Sequence, residues 1–389
     1  MRIVIAPDSF KESMDAVTAA EAMVSGVHDV LPRAHCVSVP LADGGEGTCR
    51  ALTTAMGGRL QEVSCTDALG RSVTGQIGLV DGQNTTTAVI EAASSNGLDL
   101  IAPSERDTTA ATTLGVADLV LAALDAGARS LIVGLGGSAT TDAGAGLLVG
   151  LGAQFFDVDG RDVPPLPREL HRVTSVDLSG LDPRLASTEV TVASDVTSPL
   201  TGPDGAAAVF GPQKGASPQD VEMLDAALAI VADAVENAAG TALAGEPGTE
   251  LRDTPGAGAA GGLGFAFLAL GAALRPGIEV VTEATGLPDH LADADLVLTA
   301  EGSVDSQTAT GKVPAGVARL ASDAGVPTIV FAGRVEPGAE ALYDLGVRAL
   351  VPIVPGPQSL AQAMEDGPAN LRRATATAMG LCQLSPTFK

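Results

Sequence analysis

The chain holds four lysines, and three of them stand in loops suited to meeting a phosphate. Lys11 lies in Ala6-Pro-Asp-Ser-Phe-Lys-Glu-Ser13 and Lys214 in Phe210-Gly-Pro-Gln-Lys-Gly215. Lys312 closes Glu301-Gly-Ser-Val-Asp-Ser-Gln-Thr-Ala-Thr-Gly-Lys312, and the fourth is the terminal Lys389. The other eighteen basic residues are arginines. An ammonium on a flexible stem is suited to following a phosphoryl group as it moves. Chance placement on exposed turns is the plain alternative for each lysine taken alone.

Carboxylates occupy comparable positions. Asp8, Asp43, Glu46, Asp195, Glu301 and Asp305 each follow a short aliphatic run. Acids there bind Mg²⁺ or accept a hydroxyl proton. Singly, each reads equally as an N-cap or a solvated turn residue. The strongest local signal is Gly134-Leu-Gly-Gly-Ser-Ala-Thr-Thr-Asp-Ala-Gly-Ala-Gly146. Its glycines permit close backbone approach, successive N–H groups at a helix start bind anions, and Ser138, Thr140 and Thr141 add hydroxyls. A tight turn without a ligand is the alternative.

Other signals are weaker. Pro255-Gly-Ala-Gly-Ala-Ala-Gly-Gly-Leu-Gly264 contains a GxGxxG, but no convincing strand precedes it, so a dinucleotide site is poorly supported. A helix packed closely against the Gly134 region fits at least as well. Glu301 to Lys312 is not a P-loop, since Ser306 and Val313 stand where Gly and Ser or Thr are required. The four histidines (His28, His35, His171, His290) are scattered and form no metal pair or Ser-His-Asp pattern. Cys36, Cys49, Cys65 and Cys382 show no CxxC spacing, which disfavours zinc and redox motifs and suits a reduced cytoplasmic setting. Glycine loops, lysines and carboxylates without a nicotinamide signature make up the equipment of phosphoryl transfer. Residue spacing does not name the acceptor.

The elements that must position these loops recur as one unit: a short aliphatic run, a polar loop, then a helical pattern. Ile3 to Ala6 leads to Asp8-Ser9 and a helix from about Asp15. Cys36 to Val39 leads to Asp43-Gly-Gly-Glu46 and a short helix ending at Gly57. Leu131 to Val133 leads to the glycine loop, and Val190 to Ala193 leads to Asp195. Leu296 to Leu298 leads to a loop at Glu301–Asp305, with a helix from about Pro314. Thr328 to Phe331 leads to Gly333-Arg334, and Ala349 to Val351 is a last strand. Alternating strand and helix predicts an α/β fold with parallel sheet, whose ligands sit beyond the carboxyl ends of the strands.

At 389 residues two domains are expected. The strands near both termini read as one doubly wound, discontinuous domain, residues 1–65 plus 290–389. The more irregular, Pro- and Gly-rich residues 66–289 read as a second domain inserted into it. A net charge of −25 disfavours nucleic acid and anionic membranes as partners. It also requires any anionic ligand to be met by local positive charge, helix N-termini or a divalent cation. The opening residues do not read as a signal peptide. Gly256 to Leu274 carries no charge over nineteen residues, and its six glycines favour a buried Gly/Ala helix over a membrane span.

These loops, in this order, resemble the type I glycerate kinase family. The resemblance rests on Ile3-Val-Ile-Ala-Pro-Asp-Ser-Phe-Lys-Glu-Ser13, Ala42-Asp-Gly-Gly-Glu-Gly-Thr48 and Gly134-Leu-Gly-Gly-Ser-Ala-Thr140. It continues through Asp195-Val196, Pro199-Leu200, Ala208-Val-Phe-Gly-Pro-Gln-Lys-Gly-Ala216, Pro255 to Gly262, Leu274-Arg-Pro-Gly-Ile278, and Glu301-Gly302 with Asp305 and Gln307. It covers nearly the whole chain. It implies two α/β domains, one Rossmann-like and discontinuous, with the site in the cleft between them. It also implies phosphorylation of D-glycerate to 2-phosphoglycerate by ATP and Mg²⁺ in a monomer or homodimer. Some positions depart from the family pattern: Thr141 stands for Asn, Ala143, Ala300 and Ser306 stand for Gly, and Ser303 stands for Arg. Arg334, after the next strand, is a candidate substitute for that Arg.

On this reading Asp195 accepts the acceptor's hydroxyl proton. Asp8, Ser9 and Lys11 hold substrate or phosphate, and Gln307 joins the binding set. Gly136, Gly137, Ser138 and Thr140 donate to a phosphate or to the substrate carboxylate. Lys214 and Lys312 neutralise transferring charge. Asp43 with Glu46, or Glu301 with Asp305, are the Mg²⁺ candidates. Which loops take ATP and which take glycerate stays open. The alternatives are a kinase of another small hydroxy acid, a non-catalytic hydroxy-acid or nucleotide sensor on the same scaffold, and, from the GxGxxG, a nicotinamide dehydrogenase.

Overall fold

The computed structural model describes residues 1–42, 44–82, 85–239, 250–306 and 308–384. Its strands, in chain order, are β1 (Arg2–Ile5), β2 (His35–Ser38), β3 (Arg59–Thr66), β4 (Ser72–Asp81), β5 (Thr86–Glu91), β6 (Ala128–Gly134), β7 (Gln154–Phe156), β8 (Ser175–Asp177), β9 (Glu189–Ala193), β10 (Ala273–Arg275), β11 (Leu296–Val304), β12 (Thr328–Val335) and β13 (Val347–Pro352). The protein is mixed α/β with parallel sheets and helices, in two compact units.

One unit comprises Met1–Asp43, Arg50–Gly57 and Ile278–Lys389. Its sheet is parallel throughout, in the order β13-β12-β11-β1-β2. Ile3, Val4, Ile5, Val297, Leu298, Val330 and Phe331 are buried. Such continuous aliphatic runs are what a parallel sheet covered on both faces requires. The helix expected from about Asp15 is Ala16–Val30, started by the Asp15 carboxylate, which accepts from Thr18 N at 2.7 Å. The helix Val313–Asp323 carries Pro314 in its first turn. Strand order reverses between β1 and β11, so the carboxyl ends of these two strands flank a topological switch point.

The other unit comprises Gly44–Cys49 and Gly58–Gly277. Its main sheet runs β10-β9-β6-β5-β4-β3, parallel from β5 to β10 and antiparallel across β3-β4-β5. The middle of the chain is therefore more regular than its composition suggests. β4 and β5 escape a reading by aliphatic runs because Gly75 and Gly78 interrupt β4 and threonines begin β5.

Several expectations need correction. Residues 58–65 fall in the second unit, because β3 pairs along its whole length with β4. Residues 278–289 fall in the first, where Ile278 packs on Gly316. Glu301 to Val304 is not a loop but the end of β11, and Gly333-Arg334 lies within β12. The helix expected across 256–274 is only Leu263–Ala269, followed by β10. Among the described residues no helix is long and apolar enough to cross a membrane.

Candidate active site

The residues singled out in the sequence fall into two groups, one on each unit. Asp43 and Gln307 lie outside the described residues.

In the first unit the group gathers at the carboxyl ends of β1 and β11. Asp8 N donates to Ala300 O at 2.8 Å, which lays the turn after β1 on β11. The Asp8 carboxylate is buried and accepts from Ser9 N at 2.6 Å. Lys11 is exposed in a turn closed by Met14 N to Phe10 O at 2.9 Å. Lys312 donates to Glu301 Oε1 at 2.9 Å, so one proposed anion binder and one proposed cation binder pair with each other. Asp305 Oδ1 accepts from Thr308 N at 3.0 Å and starts a short turn of helix. Ser303 of β11 and Arg334 of β12 are register partners on adjacent strands. Arg334 is exposed and pairs with Glu336 at 3.2 Å.

In the second unit three backbones stack without side chains between them. A Cβ on Gly136 would lie 2.5 Å from Gly45 Cα, one on Gly134 2.7 Å from Gly44 O, and one on Gly44 2.6 Å from Ala193 O. Gly136 N donates to Gly44 O at 3.1 Å. Its amide is thus committed to the fold and not to an anion, which corrects its expected role. Gly137 is exposed, whereas Ser138 and Thr140 are buried. Ser138 Oγ accepts from Lys214 Nζ at 3.1 Å, and Thr140 Oγ1 accepts from Asn96 Nδ2 at 3.0 Å. Each hydroxyl then keeps its own hydrogen to donate.

Lys214 is 3% exposed and also donates to Thr140 O at 2.7 Å. Burial pulls its pKa down to about 7, and the charge of Asp142 opposes that fall. Asp195, at the end of β9, is exposed, and its Oδ1 accepts from Gly277 N at 2.8 Å, at the start of the helix Gly277–Ala284. Glu46 is exposed in the turn that leads to the helix Thr48–Ala55.

The GxGxxG segment packs against the glycine loop, as one of its two readings has it, but as a short turn at Ala259–Gly261 and the start of the helix Leu263–Ala269 and not as one helix. A Cβ on Gly261 would lie 1.9 Å from Thr140 O, and Gly262 lies under Ala143. Ala143 itself has φ +53, a left-handed conformation that favours glycine.

Sequence reasoning missed three contributors. Asp142 is fully buried inside the glycine loop and collects donors from Thr113, Gly144 and Gly146. Glu91, at the end of β5, is 8% exposed and accepts from Cys49 N at 3.2 Å, fixing the Gly44–Cys49 segment. Burial raises the pKa of Glu91, while the N–H groups of Cys49, Gly47 and Thr48 oppose the rise and Glu46 adds to it. Asn96 and its neighbours line the loop through Ala139 N to Asn96 O at 2.8 Å and Leu98 N to Gly137 O at 2.8 Å. The signal for Glu91 was present, since Thr86-Thr-Ala-Val-Ile-Glu91 repeats the pattern of an aliphatic run ending in an acid. Nothing local marks Asn96.

Among the described residues no three metal-ligating side chains come together. A Mg²⁺–nucleotide site draws only one or two carboxylates from protein and the rest from phosphates and water, so the oxygen donors present fit the ion. Glu301 fits least well while Lys312 neutralises it.

The buried lysine has a consequence for stability. Unfolded, Lys214 keeps its proton to about pH 10.4; folded, it releases it at about 7. Between these values the unfolded chain binds more protons, so this group makes stability rise with pH, by up to about 1.4 kcal/mol per unit. Urea unfolding of the parent and of Lys214→Met, from about pH 6.5 to 9.5, should diverge with that sign. Parallel pH dependences would contradict the buried, titrating lysine.

A sequence model described as the glycerate kinase family matches residues 3–383. The chain is 45% identical over 390 residues to a glycerate kinase of Bacillus subtilis (strain 168), covering 100% of this chain and 99% of the relative. It is 41% identical over 377 residues to the glycerate 2-kinase of Escherichia coli (strain K12), covering 96% of each. A crystal structure from Salmonella typhimurium LT2 that carries the glycerate kinase 2 name is similar with a TM-score of 0.86 at 41% identity, over 99% of this chain and 98% of that one.

Proposed function

The chain belongs to the glycerate kinase family, and from that premise we propose that it transfers the terminal phosphoryl group of ATP directly to the 2-hydroxyl of D-glycerate. The observation that carries the reading is the buried Lys214 bonded to Ser138 and Thr140 of the glycine loop. An ammonium shielded from water beside anion-binding hydroxyls is worth far more to a developing phosphoryl charge than one in solvent.

Asp195 accepts the hydroxyl proton of the acceptor. Its Oδ1 already accepts from Gly277 N, which restricts its rotation. Ser138, Thr140 and Gly137 donate to a phosphate or to the glycerate carboxylate. Asp8, Ser9 and Lys11 do the same in the first unit. Lys312 follows phosphate charge when it leaves Glu301. Asp43 with Glu46, or Glu301 with Asp305, would hold Mg²⁺, which would supply neutralisation of the phosphate charge. The enzyme works in the cytoplasm without nucleic-acid or membrane partners.

Coupled ADP-release assays over a panel of small hydroxy acids test the acceptor. D-glycerate is expected to give the highest kcat/KM; another acid exceeding it about tenfold would replace glycerate in the proposal.

The register pairing of Ser303 with Arg334 bears on the same site. On adjacent parallel strands register partners project from the same face, so a guanidinium stands beside the position where the family carries one. Arg334→Ala is expected to raise KM for one anionic substrate about tenfold with kcat within about twofold. Unchanged KM for both ATP and glycerate would remove Arg334 from binding.

A further inference from the structure

We propose that Ser138 and Lys214 form a nucleophile–base pair, which gives the glycine loop a second activity: acyl transfer from uncharged esters of small carboxylic acids. This activity needs neither nucleotide nor glycerate, so it does not depend on the kinase reading.

Ser138 Oγ and Lys214 Nζ lie 3.1 Å apart, within reach of direct proton transfer. Both residues are buried, at 6% and 3% exposure. Nζ has two partners among the described residues, Ser138 Oγ and Thr140 O, the second at 2.7 Å. An ammonium held this way leaves one of its three charged hydrogens without an acceptor. A neutral amine gives one hydrogen to Thr140 O and turns its lone pair to the Ser138 hydroxyl. Lysine takes the neutral form readily where water is excluded, and here burial pulls its pKa down to about 7. An anion in the loop favours the ammonium, whereas an uncharged ester leaves the amine in place.

The same loop supplies donors for an oxyanion. Of the successive amides from Gly136 to Ala139, Gly136 N is taken by Gly44 O and Ala139 N by Asn96 O. Leu98 N bonds to Gly137 O in the same bridge, so Ser138, which stands opposite Gly97, turns its own N–H away from that partner. The amides of Gly137 and Ser138 donate to no described residue. Adjacent amides beside a serine oxygen suit the charge that develops on an attacked carbonyl. Gly137 is exposed, has φ +77 and carries no side chain to cover its neighbour. The chemistry balances within the pair. Lys214 Nζ takes the Ser138 hydroxyl proton as Oγ bonds to the ester carbonyl carbon. The ester C–O bond then breaks, and the leaving alkoxide takes the proton from Nζ. Water next gives a proton to the amine as its oxygen bonds to the acyl carbon, and Ser138 Oγ leaves and recovers that proton.

The probe is p-nitrophenyl acetate, with release of p-nitrophenolate followed by absorbance. The parent should release it about a hundredfold faster than either Ser138→Ala or Lys214→Met. Peptide mapping of protein quenched with acid during the first turnovers should place an acetyl group on Ser138. Acetyl on Lys214 instead would make the lysine the nucleophile and overturn the pair. A parent rate within about threefold of Ser138→Ala, or no acetyl on Ser138, would overturn it as well. If a variant does not fold, the acetylated position in the parent decides alone: Ser138 upholds the proposal and any other result ends it. The assay contains no ATP and no D-glycerate, so absence of D-glycerate phosphorylation would sink the kinase reading without touching the Ser138–Lys214 pair.

Discussion

Lys214→Met is expected to lower kcat/KM for D-glycerate by about a thousandfold while leaving a folded protein. The ammonium donates to the glycine loop at Ser138 Oγ and Thr140 O. A methionine fills nearly the same volume with a flexible apolar chain. Exchanging a buried ion for an apolar group of similar size is often neutral or stabilising, so the fold should survive. Two hydroxyl and carbonyl groups lose a donor, which costs about 1–3 kcal/mol each where they stay buried, and this limits the gain. Activity, in contrast, loses a shielded positive charge beside the anion loop. Steady-state kinetics with a parallel urea unfolding curve separates the two effects. A folded variant with kcat/KM within about tenfold of the parent would show that Lys214 is a structural clamp and not part of the chemistry.

Asp195→Asn is expected to reduce kcat by about a hundredfold or more with little change in KM or stability. Asparagine keeps an oxygen for Gly277 N, so the start of the helix Gly277–Ala284 stays capped. It removes only the capacity to take a proton. Asp195→Ala should lose the cap as well, adding a stability loss of about 1 kcal/mol to the same kinetic defect. Turnover by Asp195→Asn within about threefold of the parent would take Asp195 out of the proton-accepting role and leave it as a helix cap.

How far the sequence reached depends on whether the deciding contact is local. The helix Ala16–Val30 was legible because Asp15 and the apolar spacing after it lie within a few residues of each other. The helix Val313–Asp323 announced itself through Pro314. The packing role of Pro255–Gly264 was legible from the missing strand before its glycines, and Gly261 on Thr140 is its physical content. β4 was hidden by Gly75 and Gly78, which in sequence look like turns. The end of β11 was hidden because Glu301-Gly-Ser reads as a polar loop, yet pairing with β12 continues through Val304.

The centre of the candidate site was beyond local reading. Asp142 becomes a buried carboxylate only when Thr113, 29 residues earlier, brings its N–H and hydroxyl. Lys214 becomes a shielded charge only when Ser138, 76 residues away, accepts from it. Gly136 looked like an anion donor until Gly44 O took its amide. Residue types in the right loops identify the equipment; which atoms remain available for a ligand is decided by partners that spacing does not reveal.

Phosphorus NMR of the purified protein with ATP, Mg²⁺ and D-glycerate tests the central claim most directly. The account predicts a phosphomonoester at the 2-position, growing as ATP is converted to ADP and suppressed in Lys214→Met. A 3-phosphoglycerate product would contradict the assigned hydroxyl, and no phosphoester from well-folded protein would contradict the kinase itself.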